Sequence, residues 1–302
     1  MINLLNFGDL STTRRQQIAL RAIHTQPYFY KFEFPVLAGA TPQTQYSANV
    51  GINRDFYLTD VQSNFGEAFT ATGSLFNMSL WTNYQRSLYR WQTSSKLPTP
   101  FLSYEARFQT PVNQEKFDDR QFEYKPLLIR NGDKIFAEIE NADTKNAGTD
   151  IYVILKGFNL LTNVFLDPRE TEQINNSIAA PVSPELLKFE VTETGRRSFV
   201  ITNDNRPRLI LGFGATNRDE AKTLVPEVKI SIQDLSRRLN LTDTAIPLEF
   251  IAPRLTCLLD QHRYWLPTEY YFPPFAKLAF DVDATFQQSG NGVEINLLTR
   301  TI

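Results

Sequence analysis

Ile135-Phe136-Ala137-Glu138-Ile139-Glu140 and Leu278-Ala279-Phe280-Asp281-Val282-Asp283 are two stretches that share one order of apolar and acidic residues. They lie 143 positions apart in a chain of 302 residues. In each stretch every second residue is apolar, and two acidic side chains stand at intervening positions, which is typical of a strand with one face in a core and the other in water. The pair predicts that the same kind of strand occurs once in each half of the chain.

Five further pairs of stretches repeat in the same order, at offsets of 142 to 152 positions. They are 54–60 with 197–203, 64–66 with 212–214, 79–80 and 86–88 with 231–232 and 237–239, 97–102 with 246–251, and 151–155 with 293–297. A single repeat at about half the chain length indicates a duplicated domain, since solenoids repeat every 20–50 residues or so. We expect the two halves to superpose, with Phe56 over Phe199 and Val153 over Ile295.

The composition favours β-structure in both halves. Aromatic residues make up 13% of the chain, with 23 Phe and 12 Tyr, and these residues suit a pleated, half-buried surface. Short strands separated by turn signals predict β-sandwiches, and a single core stops growing near about 250–300 residues. The predicted divisions are an arm with an amphipathic helix (1–30), a first sandwich (31–165), a linker (166–186) and a second sandwich (187–302).

Charge and cysteine content exclude several classes of protein. The 31 basic and 33 acidic residues nearly cancel, whereas a nucleic-acid binder usually has a strongly basic balance. Cys257 is the only cysteine, so no disulfide forms within the chain. The sequence has no run of about 20 apolar residues, and its first residues lack the pattern of a signal peptide. We therefore expect a protein that is made and used without secretion.

The sequence offers few residues for catalysis. His24 and His262 are the only histidines, which argues against a metalloenzyme with several imidazole ligands. Cys257 stands in an apolar run and is interpreted as a small buried side chain. Nucleotide-binding and nucleophile motifs are absent; the closest stretch, Gly212-Phe213-Gly214, has Asn217 where a third glycine would be needed. We expect no enzymatic activity and no cofactor.

Four carboxylates are the remaining candidates for a metal or catalytic site. Glu138 and Glu140 are two positions apart, as are Asp281 and Asp283, so each pair shares one face of its strand, opposite the core. The simplest interpretation is a solvated outer face. Two alternatives stay open: a divalent cation site, because hard cations prefer clustered carboxylate oxygens, and a pair of acids that cleaves glycosidic bonds.

Two similar β-sandwiches in one chain of this length, after a short amphipathic helix, resemble the double jelly-roll major capsid proteins of icosahedral viruses with an internal membrane. The resemblance spans nearly the whole chain and rests on architecture and duplication, with no short diagnostic motif. Size and the Phe-, Tyr- and Asn-rich composition are most similar to the proteins of corticoviruses or of the lipid-containing single-stranded-DNA phages of flavobacteria. The resemblance implies an all-β fold of two tandem jelly rolls that serves as a structural shell subunit.

The same resemblance implies the partners and the location of the protein. The expected unit is a homotrimer whose six sandwiches form a pseudo-hexagonal capsomer in a virion capsid assembled in the host cytoplasm. Neighbouring capsomers, other virion proteins, an internal lipid membrane and packaged nucleic acid are the expected partners. Two alternative functions stay open: a minor virion protein of a vertex or spike, and a carbohydrate-binding or glycoside-cleaving double sandwich.

The N-terminal arm carries a local excess of positive charge. Between positions 10 and 32 there are four basic residues and no Asp or Glu, and 10–23 has a helical pattern. A basic helix with an apolar stripe suits a membrane surface, and nucleic acid attracts the same charges. The residues expected to face the membrane or the particle interior are Arg14, Arg15, Ile18, Arg21 and Lys31. The alternative is an ordinary helix packed under the first sandwich.

Overall fold

The computed structural model describes residues 12–35, 45–63, 76–83, 97–98, 127–141, 150–161, 168–169, 171–172, 174, 184–217, 227–252, 265–286 and 292–301. Within these ranges the chain begins with a helix, α1 (Thr12–His24), and continues mainly as strands. The helix ends where the Thr25 hydroxyl donates to the carbonyl of Arg21 at 2.8 Å, which satisfies one of the last carbonyls. No helix in the described ranges has the length and hydropathy needed to cross a membrane.

Eight strands of the described ranges build the first sandwich. They are β1 (Thr25–Pro35), β2 (Gln45–Gly51), β3 (Phe56–Ser63), β4 (Phe76–Thr82), β5 (Leu97–Pro98), β6 (Leu127–Ile129), β7 (Lys134–Asn141) and β8 (Asp150–Leu160). One sheet has the order β1-β8-β3-β6 and the other the order β2-β7-β4-β5. On β7 the side chains alternate, with Ile135, Ala137 and Ile139 fully buried. The inner faces of the two sheets therefore form a core of their own.

The second sandwich uses the same plan. Its strands are β9 (Pro184–Val191), β10 (Gly195–Thr202), β11 (Arg208–Asn217), β12 (Glu227–Asp234), β13 (Leu239–Asn240), β14 (Ile246–Pro247), β15 (Trp265–Phe272), β16 (Lys277–Thr285) and β17 (Val293–Thr301). One sheet has the order β15-β11-β17-β9, and the other has the order β10-β16-β12-β13, with β14 also paired to β12. The two short strands β13 and β14 together take the place of β5.

Both halves have the strand order of a jelly roll. In each, the first strand pairs with the last, which pairs with the third, and the second pairs with the last but one, which pairs with the fourth. Strands far apart in sequence are thus neighbours in both sheets, which is the mark of Greek-key connections. The predicted fold class, all-β with two tandem jelly rolls and a short N-terminal helix, is confirmed.

The strand registers define which residues are equivalent in the two sandwiches. Ser79 lies opposite Glu138, and Ser231 lies opposite Asp281, as the repeated stretches predict. The short fifth strands agree as well, because Leu97 lies opposite Met78 and Ile246 lies opposite Ile230. Val153 and Ile295 are both buried on the last strand of their sandwich. For these stretches the sequence repeat coincides with the structural repeat.

One predicted equivalence is wrong. Phe56 lies on β3, the third strand, whereas Phe199 lies on β10, the second strand of its sandwich. The register gives Ala48 as the counterpart of Phe199, since the two residues face Ala137 and Phe280 respectively. Any strand with one buried face has the same alternation, so the pattern of 54–60 does not distinguish a second strand from a third. The predicted counterparts at 64–66 and 86–88 lie outside the described residues.

The chain divides into two compact units. One runs from Phe29 to Phe158 and contains the first sandwich; the other contains the second sandwich together with the chain up to Tyr28. Helix α1 therefore belongs to the unit of the second sandwich. The predicted linker, 166–186, is described only in part, and its role stays a prediction.

Candidate functional site: outward sheet faces and the N-terminal helix

The outward face of the sheet β2-β7-β4 carries the first pair of candidate carboxylates. The alternation of β7 turns Glu138 and Glu140 away from the buried Ile139, and both side chains are half-buried. Glu138 stands between Ser47 on β2 and Ser79 on β4. The predicted shared face opposite the core is therefore what the structure contains in the first sandwich.

The second sandwich repeats this row of residues. Asp281 stands between Ser198 on β10 and Ser231 on β12. The Ser198 hydroxyl donates to the Asp281 carboxylate at 2.5 Å. At the next outward position Asp283 accepts a hydrogen bond from Arg196 at 3.2 Å. Serine, carboxylate and serine thus occupy the same three positions on both outer faces, and in the second sandwich the Ser198 hydroxyl binds the carboxylate directly.

The carboxylates form pairs and not larger groups. Glu138 and Glu140 lie in one sandwich and Asp281 and Asp283 in the other, and members of a pair are two strand positions apart, or about 7 Å. In the described part of the chain, no group of three or more His, Cys, Asp or Glu side chains is placed to hold a metal ion. His262 and Cys257 lie outside the described residues, and His24 is exposed at the end of α1.

Next to this row the two outer faces differ. In the first sandwich Trp81 lies opposite Phe136, and their rings stack with centroids 5.6 Å apart and planes 9° from parallel. The equivalent positions in the second sandwich are Gln233 and Ala279. Both aromatic side chains are only half-buried. The first sandwich therefore presents an aromatic surface beside two carboxylates, which is a suitable contact for an apolar and basic partner.

Helix α1 packs on the second sandwich. Ile18, Ala22 and Ile23 are 3%, 0% and 1% exposed, and the helix lies against β15. Arg21 donates to the carboxylate of Glu269 on β15, with 2.6 Å from its Nη2 to Oε1. At the start of β1, the hydroxyls of Thr25 and Thr268 are 2.9 Å apart. The apolar stripe of the helix is therefore buried within the protein.

This arrangement corrects part of the expectation for the arm. The side chain of Ile18 is buried in protein, because its stripe packs with the second sandwich, and it is therefore not exposed to a membrane. That the arm faces the particle interior stays a prediction. The alternative, packing under the first sandwich, also differs from what is found. Lys31 forms an ion pair with Glu33 at 2.7 Å and is 11% exposed, so its charge is balanced locally. The side chains of Arg14 and Arg15 lie outside the described residues.

A buried polar network at one end of the second sandwich was not predicted. Asp234, the last residue of β12, is fully buried and accepts a hydrogen bond from the Tyr270 hydroxyl at 2.5 Å. It also accepts from the backbone N–H of Arg237 at 2.8 Å and from the Arg237 Nε at 3.0 Å. The guanidinium lies 4.6 Å from the centre of the Tyr270 ring. The one sequence signal was an Asp three residues before an Arg in a turn.

Burial and charge set the protonation of this network. Burial raises the pKa of Tyr270 well above its usual value, and the neighbouring Asp234 raises it further, although Arg237 opposes both. Burial tends to lower the pKa of Arg237, but Tyr270 and Asp234 outweigh it and raise that pKa. The neutral phenol and the charged guanidinium are thus both favoured around the carboxylate. The network stabilises the turn that follows β12 by joining it to β15.

Comparisons with known proteins give weak likenesses. No family model matches the sequence, and no curated protein matches it. A crystal structure of the STIV MCP is similar over 91% of this chain and 97% of its own, at 8% identity and a TM-score of 0.22. A triple jelly-roll protein of an archaeal virus covers 89% of this chain, which spans 58% of that protein, at 7% identity and a TM-score of 0.22. A tandem CBM22 domain of Paenibacillus barcinonensis Xyn10C covers 92% of this chain and 94% of its own, at 8% identity and a TM-score of 0.17.

Proposed function

We propose that this protein is a structural subunit of a viral shell, a major capsid protein, and that it is not an enzyme. The observation that carries the proposal is the presence of two jelly rolls with matching strand order and register in one chain. Each copy of such a chain contributes two similar sandwiches, so a closed ring of copies contains twice as many sandwiches as subunits. Similar sandwiches can make near-equivalent contacts with neighbouring rings, which is what the tiling of a shell requires.

The finer proposal is a homotrimer with six sandwiches in a pseudo-hexagonal ring, assembled in the host cytoplasm around an internal membrane and genome. The double jelly-roll resemblance motivates this arrangement. The near balance of 31 basic and 33 acidic residues also supports it, because chains without a large net charge associate without strong mutual repulsion. A corticovirus-like or flavobacterial-phage-like origin is part of the same proposal.

The test is the state of the purified protein in solution. Analytical ultracentrifugation at physiological salt should show a stable trimer or larger particles, and electron microscopy should show hollow shells tiled with pseudo-hexagonal units. Buried area in such contacts should be large, above about 2,000 Å² for an obligate interface. A monomer that persists at high concentration would contradict the proposal.

Arg14 and Arg15 are the arm residues that we propose face the membrane or packaged nucleic acid. Arg21 pairs with Glu269 and Lys31 with Glu33, so the proposal is placed on the two arginines near the start of α1. Replacing both with Gln should weaken binding to anionic vesicles in a salt-sensitive way. Lys31→Gln is the matched control and should bind as the unaltered protein does. Equal vesicle binding by the double variant would contradict this assignment.

Carbohydrate binding is a second candidate, and the stacked Trp81 and Phe136 favour it. Half-buried aromatic rings beside carboxylates offer the apolar face and hydrogen-bond acceptors that a sugar ring uses. If this is the function, the protein should bind a glycan array as a monomer and Trp81→Ala should abolish the binding. A shell protein should instead assemble, and its assembly should not depend on added glycans.

A further inference from the structure

The turn between β15 and β16 displays an exposed aromatic side chain on a strained backbone. It contains Pro273, Pro274, Phe275 and Ala276. Phe275 is 67% exposed, and its φ is +59°, in the left-handed region that bulky residues rarely adopt. Among the large apolar side chains of the described residues, Phe275 has the highest exposure.

The duplicated turn in the first sandwich shows what this position requires. The strand register makes Gly132, with a φ of +87°, the counterpart of Phe275. Both turns close through a backbone hydrogen bond, from Asp133 to Arg130 at 3.1 Å and from Ala276 to Pro273 at 3.2 Å. Both left-handed residues donate their N–H at 2.8 Å to the segment after the second strand, to Ile52 and Asp204. The same turn is therefore built once with glycine and once with phenylalanine.

Glycine adopts this conformation without steric cost, whereas a residue with a Cβ is strained. Burial of the Phe275 ring does not repay the strain within the chain, because two thirds of the residue is exposed. Because the strain at Phe275 is not offset within the chain, its side chain is a candidate for contact with another molecule. Arg238, the other non-glycine residue with positive φ in the described ranges, lies in the turn after β12.

The turn that carries Phe275 is held rigidly. Asn203 is 2% exposed, and its side-chain amide donates to the carbonyls of Phe272 and Pro273 at 2.9 and 2.8 Å. Leu235, in the turn after β12, donates its N–H to Lys277 at 2.9 Å, and the Lys277 N–H donates to the Ser236 hydroxyl at 2.9 Å. These bonds tie the turns at this end of the sandwich together, so the apolar side chains are presented in a fixed arrangement.

The turns next to Phe275 carry one other exposed apolar side chain and several exposed basic side chains. Leu235 is 42% exposed, and Arg206, Arg238 and Lys277 are exposed in the same three turns. The acidic residues there are Asp204, which pairs with Arg206 and Arg208, and the fully buried Asp234. The surface that we name the Phe275 knob, made of Phe275, Leu235, Arg206, Arg238 and Lys277, therefore carries a net positive charge.

We propose that the Phe275 knob docks on the outward face of β7 and β4 in the first sandwich of a second copy of this chain. That face offers the stacked rings of Trp81 and Phe136, and Glu138 and Glu140 lie beside them on β7. Aromatic surface meets aromatic surface, and carboxylates meet a basic rim. The contact joins two different surfaces of identical chains, so it generates a ring when the rotation closes. The inference rests on the proposed self-assembly and names the residues that carry it.

Phe275→Gly separates this role from a role in folding, because it copies Gly132. Its melting temperature should be unchanged or about 2 °C higher, since relief of strain offsets the added freedom of the unfolded chain. Its association, measured by analytical ultracentrifugation, should be at least tenfold weaker, as for the loss of an aromatic anchor. Phe275→Tyr keeps the ring and is the matched control, with association within about threefold of the unaltered protein.

A charge exchange tests the partner surface. Lys277→Glu and Glu140→Lys should each weaken association, and the variant with both changes should recover most of it, because each copy then offers the reversed pair. Unweakened association of Phe275→Gly, or no recovery in the double variant, would overturn the proposal. If the unaltered protein itself stays monomeric, the proposed shell function fails, and that outcome is distinct from an assembling protein that ignores Phe275.

Discussion

Phe280 in the second sandwich lies 5.0 Å from Phe189 and 6.3 Å from Phe213, ring centre to ring centre, whereas its counterpart in the first sandwich is Ala137. In the first sandwich Tyr30 meets Phe56 edge-on at 5.0 Å. These two residues lie on β1 and β3, and Phe189 and Phe213 lie on the equivalent strands β9 and β11, so both cores take aromatic side chains from that sheet. The second core adds Phe280 from β16 where the first has the small Ala137 on β7, so the same strand order accommodates two differently filled cores.

The fourth strands differ in a second way. Asp234, which ends β12, is equivalent to Thr82, which ends β4, since they lie opposite Leu278 and Ile135. The second sandwich thus closes this end with a buried carboxylate, a guanidinium and a phenol, and the first uses a neutral hydroxyl. Two sequences that share apolar alternation and turn placement thus have the same jelly-roll order. The polar side chains that end the fourth strand differ between them.

Asp234→Ala should have the largest effect and should be confined to the second sandwich. It leaves the guanidinium of Arg237 buried without its anion and removes the acceptor of the Tyr270 hydroxyl, which costs about 3–5 kcal/mol. Urea unfolding combined with hydrogen exchange, read separately on peptides of the two sandwiches, measures it. Thr82→Ala is the matched control and should cost about 1 kcal/mol. Equal effects of the two changes would contradict the difference drawn here.

Gly157→Ala should destabilise the first sandwich by about 3 kcal/mol. A Cβ at this position would lie 2.2 Å from the carbonyl oxygen of Tyr57 and 2.5 Å from the Phe56 ring, so the backbone of β3 would have to move. Gly51→Ala meets no atom within 4 Å and should change the unfolding free energy by less than about 1 kcal/mol. The repeat aligns Gly157 with Thr299 of β17, so the close approach is a property of the first core. Thermal unfolding indistinguishable between these two variants would refute it.

Tyr270→Phe should cost about 2 kcal/mol at neutral pH, the usual loss of a hydrogen bond to a charged acceptor. Its effect should also depend on alkaline pH. The folded-state pKa of Tyr270 lies above the ordinary value of 10.0, so its contribution to stability is complete below pH 10 and is lost as the pH rises above that value. The unaltered protein should lose stability faster than Tyr270→Phe between about pH 10 and 11. Parallel pH profiles would show that the phenol does not titrate differently on folding.

Some of these features could be predicted from the sequence and others could not, for physical reasons. The seventh strands were found because alternation over six residues, with acids at fixed positions, is a local signal. Phe56 and Phe199 were paired wrongly because the alternation that a buried face imposes is common to every strand of a sandwich. The contacts of Arg21 with Glu269 and of Asp234 with Tyr270 join residues 248 and 36 positions apart. Such contacts depend on the completed fold, and a single sequence carries no trace of them.

Arg21→Gln should have the smallest effect, about 1 kcal/mol, because the arginine side chain is 55% exposed. The loss should still be measurable, since the partner, Glu269, is 4% exposed and would be left in a buried site without its cation. Hydrogen exchange should quicken in α1 and β15, because the ion pair joins these two elements, and should stay unchanged in the first sandwich. Leu20→Ala, at a 52% exposed position of the same helix, is the control and should leave exchange in β15 unaltered. Faster exchange in the first sandwich alone would mean that α1 packs there. That result would contradict the difference between the two jelly rolls, in which the helix packs on the second.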